Sequence, residues 1–225
     1  INQADSPYYE DDVSSMVPLQ PDFLRLPKAE TAEDIKKLDV LITEIEEKHA
    51  IEIGAVKIVA SIETALGVVN SYKIASASKR MLAIGLGAED FRTDMRMERS
   101  DDASEILFAR NLISLNAHAA GIMAMDYVYS NIKNTEGFRD DVKLGKQLGY
   151  TGKSVVHPNQ IGVVHALYTP TIKEIESAKE ILNAYEDALK NASGVTSLNG
   201  KMIDKPMVTR AMSILSYAKA AGMEV

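Results

Sequence analysis

Short and almost wholly apolar runs recur along this chain, and stretches with helical spacing separate them. The runs are Phe23-Leu-Arg-Leu-Pro27, Lys57 to Glu63, Met81 to Leu86, Ile122 to Val128 and Ser154-Val-Val-His157. Strands that are apolar throughout must be covered on both faces, and strand–helix alternation does this with a parallel sheet. The intervening segments carry their own helix signals. Thr31-Ala-Glu-Asp34 reads as a capping box with Asp in the Glu position, followed by Ile35, Leu38, Leu41, Ile42 and Ile45. Residues 64–77, 100–120 and 137–148 are also expected to be helical, with Gly121 as a stop. Thr171-Ile-Lys-Glu174 opens a further helix, and Pro206 suits the first turn of a last one.

The expected class is therefore α/β. A TIM-type barrel and a doubly wound open sheet both fit this alternation, and both gather ligands at the carboxyl ends of the strands. Five strands are legible, and Ile1-Asn2 would be the end of a sixth. An eight-stranded barrel would need two more before residue 1, and the chain starts without Met. The reading is a (β/α) barrel over residues 1–193, N-terminally incomplete, with a loop and helix extension over 194–225.

Composition narrows the partners. The net charge of -7 disfavours nucleic acid and anionic membranes. The absence of cysteine excludes disulfides, thiol nucleophiles and cysteine metal sites. No apolar stretch approaches the roughly 18 residues needed to span a bilayer, and no signal peptide is visible, so a cytoplasmic protein is expected.

Two acids close apolar runs: Glu63 after Ile62, and Asp90 shortly after Leu86. Carboxylates on adjacent strand ends suit Mg²⁺, which takes hard oxygen ligands and fills its shell with water and substrate oxygens. The alternative, that both acids cap the following helices, remains open at this level. Gly85-Leu-Gly87 lacks the third glycine of a dinucleotide fingerprint, and close backbone packing accounts for it better. Arg92, Arg96 and Arg99 read as an internally paired polar loop. His157, before Pro158, has no accompanying nucleophile, and a structural hydrogen bond suits it equally. Lys28 sits just past a strand and could form a Schiff base, bind an anion or pair with a barrel carboxylate. Asp126 is a strand-end acid that could serve a site or support a neighbour. Asp204 reads locally as a cap for the helix at Pro206.

Taken together, several segments resemble the citrate lyase β-subunit group of the HpcH/HpaI aldolase superfamily. They are Leu24-Arg-Leu-Pro-Lys-Ala-Glu30, Ser61-Ile-Glu-Thr-Ala-Leu-Gly67, Gly85-Leu-Gly-Ala-Glu-Asp-Phe91, Gly152-Lys-Ser-Val-Val-His-Pro-Asn-Gln-Ile161 and Gly200-Lys-Met-Ile-Asp204, in order over essentially the whole chain. The resemblance implies a TIM-type barrel and Mg²⁺-dependent cleavage of a citryl thioester, on an acyl carrier protein or CoA, to oxaloacetate and an acetyl thioester. It implies Glu63 and Asp90 as metal ligands and Asp204 as the catalytic acid/base, delivered by the tail of a neighbouring subunit. It also implies substrate contacts at Asn2, Lys28, Gly87, Ala88, Glu89, His157 and Pro158, and an arginine immediately before Ile1. Expected partners are other citrate lyase subunits and further copies of the chain, in a homo-oligomer such as a trimer. Two alternatives accompany this reading: a malyl- or citramalyl-CoA lyase of the same superfamily, and a non-catalytic carrier-binding subunit.

Overall fold

A computed structural model describes residues 1–190, 196–198 and 201–225. They form two compact units, Ile1–Ile161 and Gly162–Val225. The division expected at 193/194 lies outside the described residues.

The first unit opens with helix α1 (Tyr9–Met16). Strand and helix then alternate through β1 (Phe23–Leu26), α2 (Ala32–Lys48), β2 (Lys57–Ile62), α3 (Ala65–Ala75), β3 (Met81–Leu86) and α4 (Ala88–Met95). They continue through α5 (Leu107–Ala119), β4 (Met123–Asp126), α6 (Thr135–Gln147) and β5 (Gly152–Lys153). All five strands are parallel, and their spatial order is their chain order. A doubly wound sheet reverses direction at a switch point, and this order has no reversal. It is the order of a (β/α) barrel wall.

Side-chain alternation gives the sheet two unlike faces. Leu24, Leu26, Ile58, Ala60, Ile62, Ile84, Leu86 and Ala124 are buried and share one hydrophobic core with Ile35, Leu38 and Ile42 of α2, Ile74 of α3 and Ile113 of α5. The other face carries Phe23, Arg25, Val59, Ser61, Ala83, Gly85 and Met123, with Phe23 and Met123 exposed. The helices start where the caps are. Thr31 and Asp34 complete the expected capping box at α2, and Thr64 Oγ1 accepts from Gly67 N at 3.1 Å at α3.

Buried charge ties helices to the sheet. Arg110 of α5 pairs with Asp126 (2.6 Å) and Asp141 (3.0 Å), and Lys153 reaches the same two acids. Asp126 is therefore the support that the sequence left as one of two readings. Gly145 makes room for it, since a Cβ there would lie 2.4 Å from Asp126 Oδ2. At β3, Arg80 binds Glu46 and Asp39 of α2, both at 2.5 Å.

Three local expectations change. No strand forms at Ile1-Asn2; Asn2 instead donates twice to Asp12 of α1, at 2.7 and 2.8 Å. The run from Ser154 to His157 is not a strand, because Pro158 starts a 3₁₀ turn and Gln160 Oε1 takes the N–H groups of Val156 and His157. Asp90 lies inside α4 rather than before a polar loop. Its arginines do pair internally, as expected: Arg92 with Glu89 and Glu105, and Arg99 with Glu89.

The second unit holds most of α7 (Ile161–Tyr168), then α8 (Ile172–Lys190), a two-stranded antiparallel hairpin of β6 (Thr196–Leu198) and β7 (Lys201–Ile203), and α9 (Lys205–Ala220). Thr171 and Glu174 complete the second expected capping box. Among the described residues no helix is long and apolar enough to cross a membrane.

Removing Asp126 would leave Arg110 and Lys153 buried opposite a single acid. Asp126→Ala is expected to destabilise the first unit by about 3–5 kcal/mol, the usual cost of breaking a buried pair. The urea midpoint measures it.

Candidate functional site

The carboxyl ends of β1, β2 and β3 bring Lys28, Glu63 and Asp90 together. Glu63 directly follows β2, while Asp90 sits in the first turn of α4, after β3. Lys28 follows β1 and adopts a left-handed backbone conformation, φ 49°, rare for a non-glycine residue. Its main-chain N–H and its charge both favour the ionised form of Glu63, and its ammonium lies 3.7 Å from Asp90 Oδ1. One residue thus acts on both acids.

Glu63 is buried, whereas Asp90 is exposed. Burial is the main reason that the Glu63 carboxyl is pushed above its usual range, and the Asp90 charge pushes it the same way. The Lys28 main-chain N–H and the charges of Lys28 and Arg25 pull it back. Gly87 fixes where Glu63 can lie. Its N–H donates to Ile62 O at 2.8 Å, and a Cβ at this position would stand 2.4 Å from Glu63 Cγ. Only a residue without a side chain leaves that space to Glu63.

Gly87 is also the N-cap of α4, with no side chain closing the helix end. The first-turn N–H groups of Ala88 and Glu89 have no intrahelical acceptor, so this end suits an anion. The Glu89 side chain itself is committed to Arg92 and Arg99.

The remaining expected residues lie elsewhere. Asn2 is bound to Asp12. His157 follows β5, where its Nδ1 accepts from Asn159 N at 3.2 Å, capping the 3₁₀ turn that begins at Pro158. Among the described residues, no hydrogen bond or ion pair joins Asn2, His157 or Pro158 to Glu63 or Asp90. Asp204 belongs to the second unit, where Oδ1 accepts from Met207 N at 2.9 Å and caps α9. The sequence reading passed over Arg25, whose Nε donates to Ser61 Oγ at 2.5 Å, two residues before Glu63. A charge within the run Phe23-Leu-Arg-Leu26 was the available signal.

The donor set fits a hard divalent cation. Two carboxylates raise each other's energy when both are ionised, and a cation between them relieves that cost. Among the described residues no group of three or more His, Asp or Glu side chains is placed to hold a metal. Two protein carboxylates with water or substrate oxygens completing the shell is the habit of Mg²⁺.

The HpcH/HpaI aldolase/citrate lyase family profile matches residues 1–158. The citrate lyase subunit beta of Leuconostoc mesenteroides subsp. cremoris is 46% identical over 220 residues, covering 98% of this chain and 73% of that protein. A citrate lyase from Burkholderia xenovorans shares the fold with a TM-score of 0.84 at 23% identity, over 100% of this chain and 73% of its own. The protein CitE of Mycobacterium tuberculosis, solved with magnesium, acetoacetate and coenzyme A, gives a TM-score of 0.73 at 26% identity, over 97% of this chain and 76% of its own.

Glu63 yields a pH prediction. A carboxyl whose folded pKa lies above its unfolded value favours folding below the unfolded pKa, and that contribution is lost as pH rises through the folded pKa. Glu63→Gln, measured without metal, should therefore be more stable than the wild type at pH 7. The advantage should vanish below about pH 4, the range of an unperturbed Glu. Gly87→Ala should cost about 1–3 kcal/mol through overpacking against Glu63. Urea titrations across pH check both.

Proposed function

The chain belongs to the HpcH/HpaI aldolase/citrate lyase family, and from that premise we propose that it is a Mg²⁺-dependent carbon–carbon lyase. Its substrate is a citryl thioester, carried on an acyl carrier protein or CoA, and its products are oxaloacetate and an acetyl thioester. The observation that carries this reading is the buried Glu63 beside Asp90 at the ends of adjacent parallel strands.

Glu63 and Asp90 would hold the metal. When bound, it supplies Lewis-acid polarisation of the keto-acid oxygens and a template for their orientation. The chain's own residues do the rest. The open N-terminus of α4, at Ala88 and Glu89, binds the carboxylate next to the reacting carbon through main-chain N–H groups. Lys28 favours the ionised Glu63 with its main-chain N–H and balances Asp90 with its ammonium. Asp204 is the proposed general base, taking the proton of the tertiary hydroxyl as the carbon–carbon bond breaks. Its Oδ1 is engaged by Met207 N, which leaves Oδ2 for the proton. In this reading residues 194–225 act as an appendage that delivers Asp204 to a neighbouring copy in a homo-oligomer, and other citrate lyase subunits present the thioester.

Asp90→Asn is expected to abolish Mg²⁺-dependent cleavage, read as keto-acid release from citryl-CoA, with circular dichroism unchanged. Full activity would remove Asp90 from the metal site. Asp204→Asn should lower kcat by about 10²–10⁴-fold, the usual scale of general base catalysis, with KM little changed. A comparable loss in both would assign Asp204 to capping alone.

A further inference from the structure

Arg25 stands on the sheet face that leads to Glu63, in a strand otherwise made of Phe23, Leu24 and Leu26. Parallel pairing sets it beside Val59. Val59, Ser61 and Glu63 alternate onto the same face, each about 7 Å from the next along the strand. The bond from Nε to Ser61 Oγ carries the guanidinium from the level of Val59 to that of Ser61, one step below Glu63. Ser61 is 1% exposed, so the anchor is fixed by packing.

One of five N–H donors is used there. Among the described residues Arg25 forms no ion pair with a carboxylate, and its side chain is exposed. The other arginines of this sheet's surroundings behave differently: Arg80, Arg92 and Arg110 are each buried against two acids. Beyond Val59 the residues that follow on this face are small: Ser61 on β2, and Ala83 and Gly85 one strand further, on β3. A planar fork with donors unspent among the described residues, anchored at one nitrogen, matches a carboxylate.

We propose that Arg25 binds the second carboxylate of the keto-acid half of the substrate and thereby selects the acyl group. The proposal rests on the lyase reading above. Cleavage of a citryl thioester gives a keto acid with two carboxylates. One adjoins the reacting carbonyl and is served by Glu63, Asp90 and the end of α4 through the bound cation and main-chain N–H groups. The other is separated from that carbonyl by a methylene and needs its own cation. A citramalyl thioester has a methyl group at that place and gives pyruvate, which makes no use of Arg25.

The test is calorimetric titration of the Mg²⁺-loaded full chain with oxaloacetate and with pyruvate, for the wild type, Arg25→Met and Arg25→Lys. The wild type should favour oxaloacetate by at least about tenfold, the scale of one charge-assisted hydrogen bond. Arg25→Met should lose that preference while pyruvate affinity, Mg²⁺ affinity and the urea midpoint stay within about twofold or its equivalent. Arg25→Lys should keep part of it, since a point charge replaces the fork. Equal weakening of both keto acids would make Arg25 a support for Glu63 only and overturn the proposal. So would a wild type without preference, or a variant that keeps it. If the wild type binds Mg²⁺ but neither keto acid, the lyase reading itself fails, a result distinct from all of these.

Discussion

Parallel pairing in chain order is the constraint on which the rest depends. Because β1, β2 and β3 run the same way and never change places, their carboxyl ends share one rim, and everything that follows them arrives there. Side-chain alternation then decides which face each residue serves. A shift of β2 by one residue would turn Ser61 and Glu63 into the hydrophobic core and bring Ile62 onto the rim face. The continuous apolar set Ile58, Ala60 and Ile62, fully buried, prevents that slip.

Close approach refines what pairing begins. The absence of a side chain at Gly87 leaves the volume that Glu63 occupies, as the same absence at Gly145 leaves a volume for Asp126. In both places a carboxylate is seated against backbone, but the environments differ in charge. Asp126 meets Arg110 and Lys153 within 2.9 Å. Among the described residues, Glu63 sets the Lys28 main-chain N–H and the charges of Lys28 and Arg25 against burial and Asp90, and its carboxyl still lies above its usual range. The first acid is satisfied within the fold and the second is left short of positive charge. That shortfall is what separates a support from a binding group.

The architecture was legible from the apolar runs because β1 to β4 are long enough to read and several of the longer helices begin at a side-chain cap. Thr31, Thr64 and Thr171 mark their helices in sequence and in structure. Helix α4 was illegible for the complementary reason: its N-cap is Gly87, which carries no side chain to signal a start. The false strand at 154–157 shows the limit of apolar runs, since Val156 is exposed and the turn at Pro158 takes over the backbone groups. Glu63 and Asp90 were recognisable by position. The link between them through Lys28 was not, because it depends on a left-handed backbone that sequence does not announce. Arg25 was hidden inside a motif read for its proline and lysine.

The ranking of the ion pairs explains how a rigid barrel wall can carry a site that must accept and release ligands. Arg80 with Glu46, and Arg110 with Asp126, are sealed from water, where losing one partner costs several kcal/mol. Lys28 and Asp90 are roughly half exposed and 3.7 Å apart, a contact worth about 0–1 kcal/mol. A divalent cation can displace so weak a pairing at little cost. Strong pairs fix the frame, and the weak pair lies where the chemistry requires a change of partner.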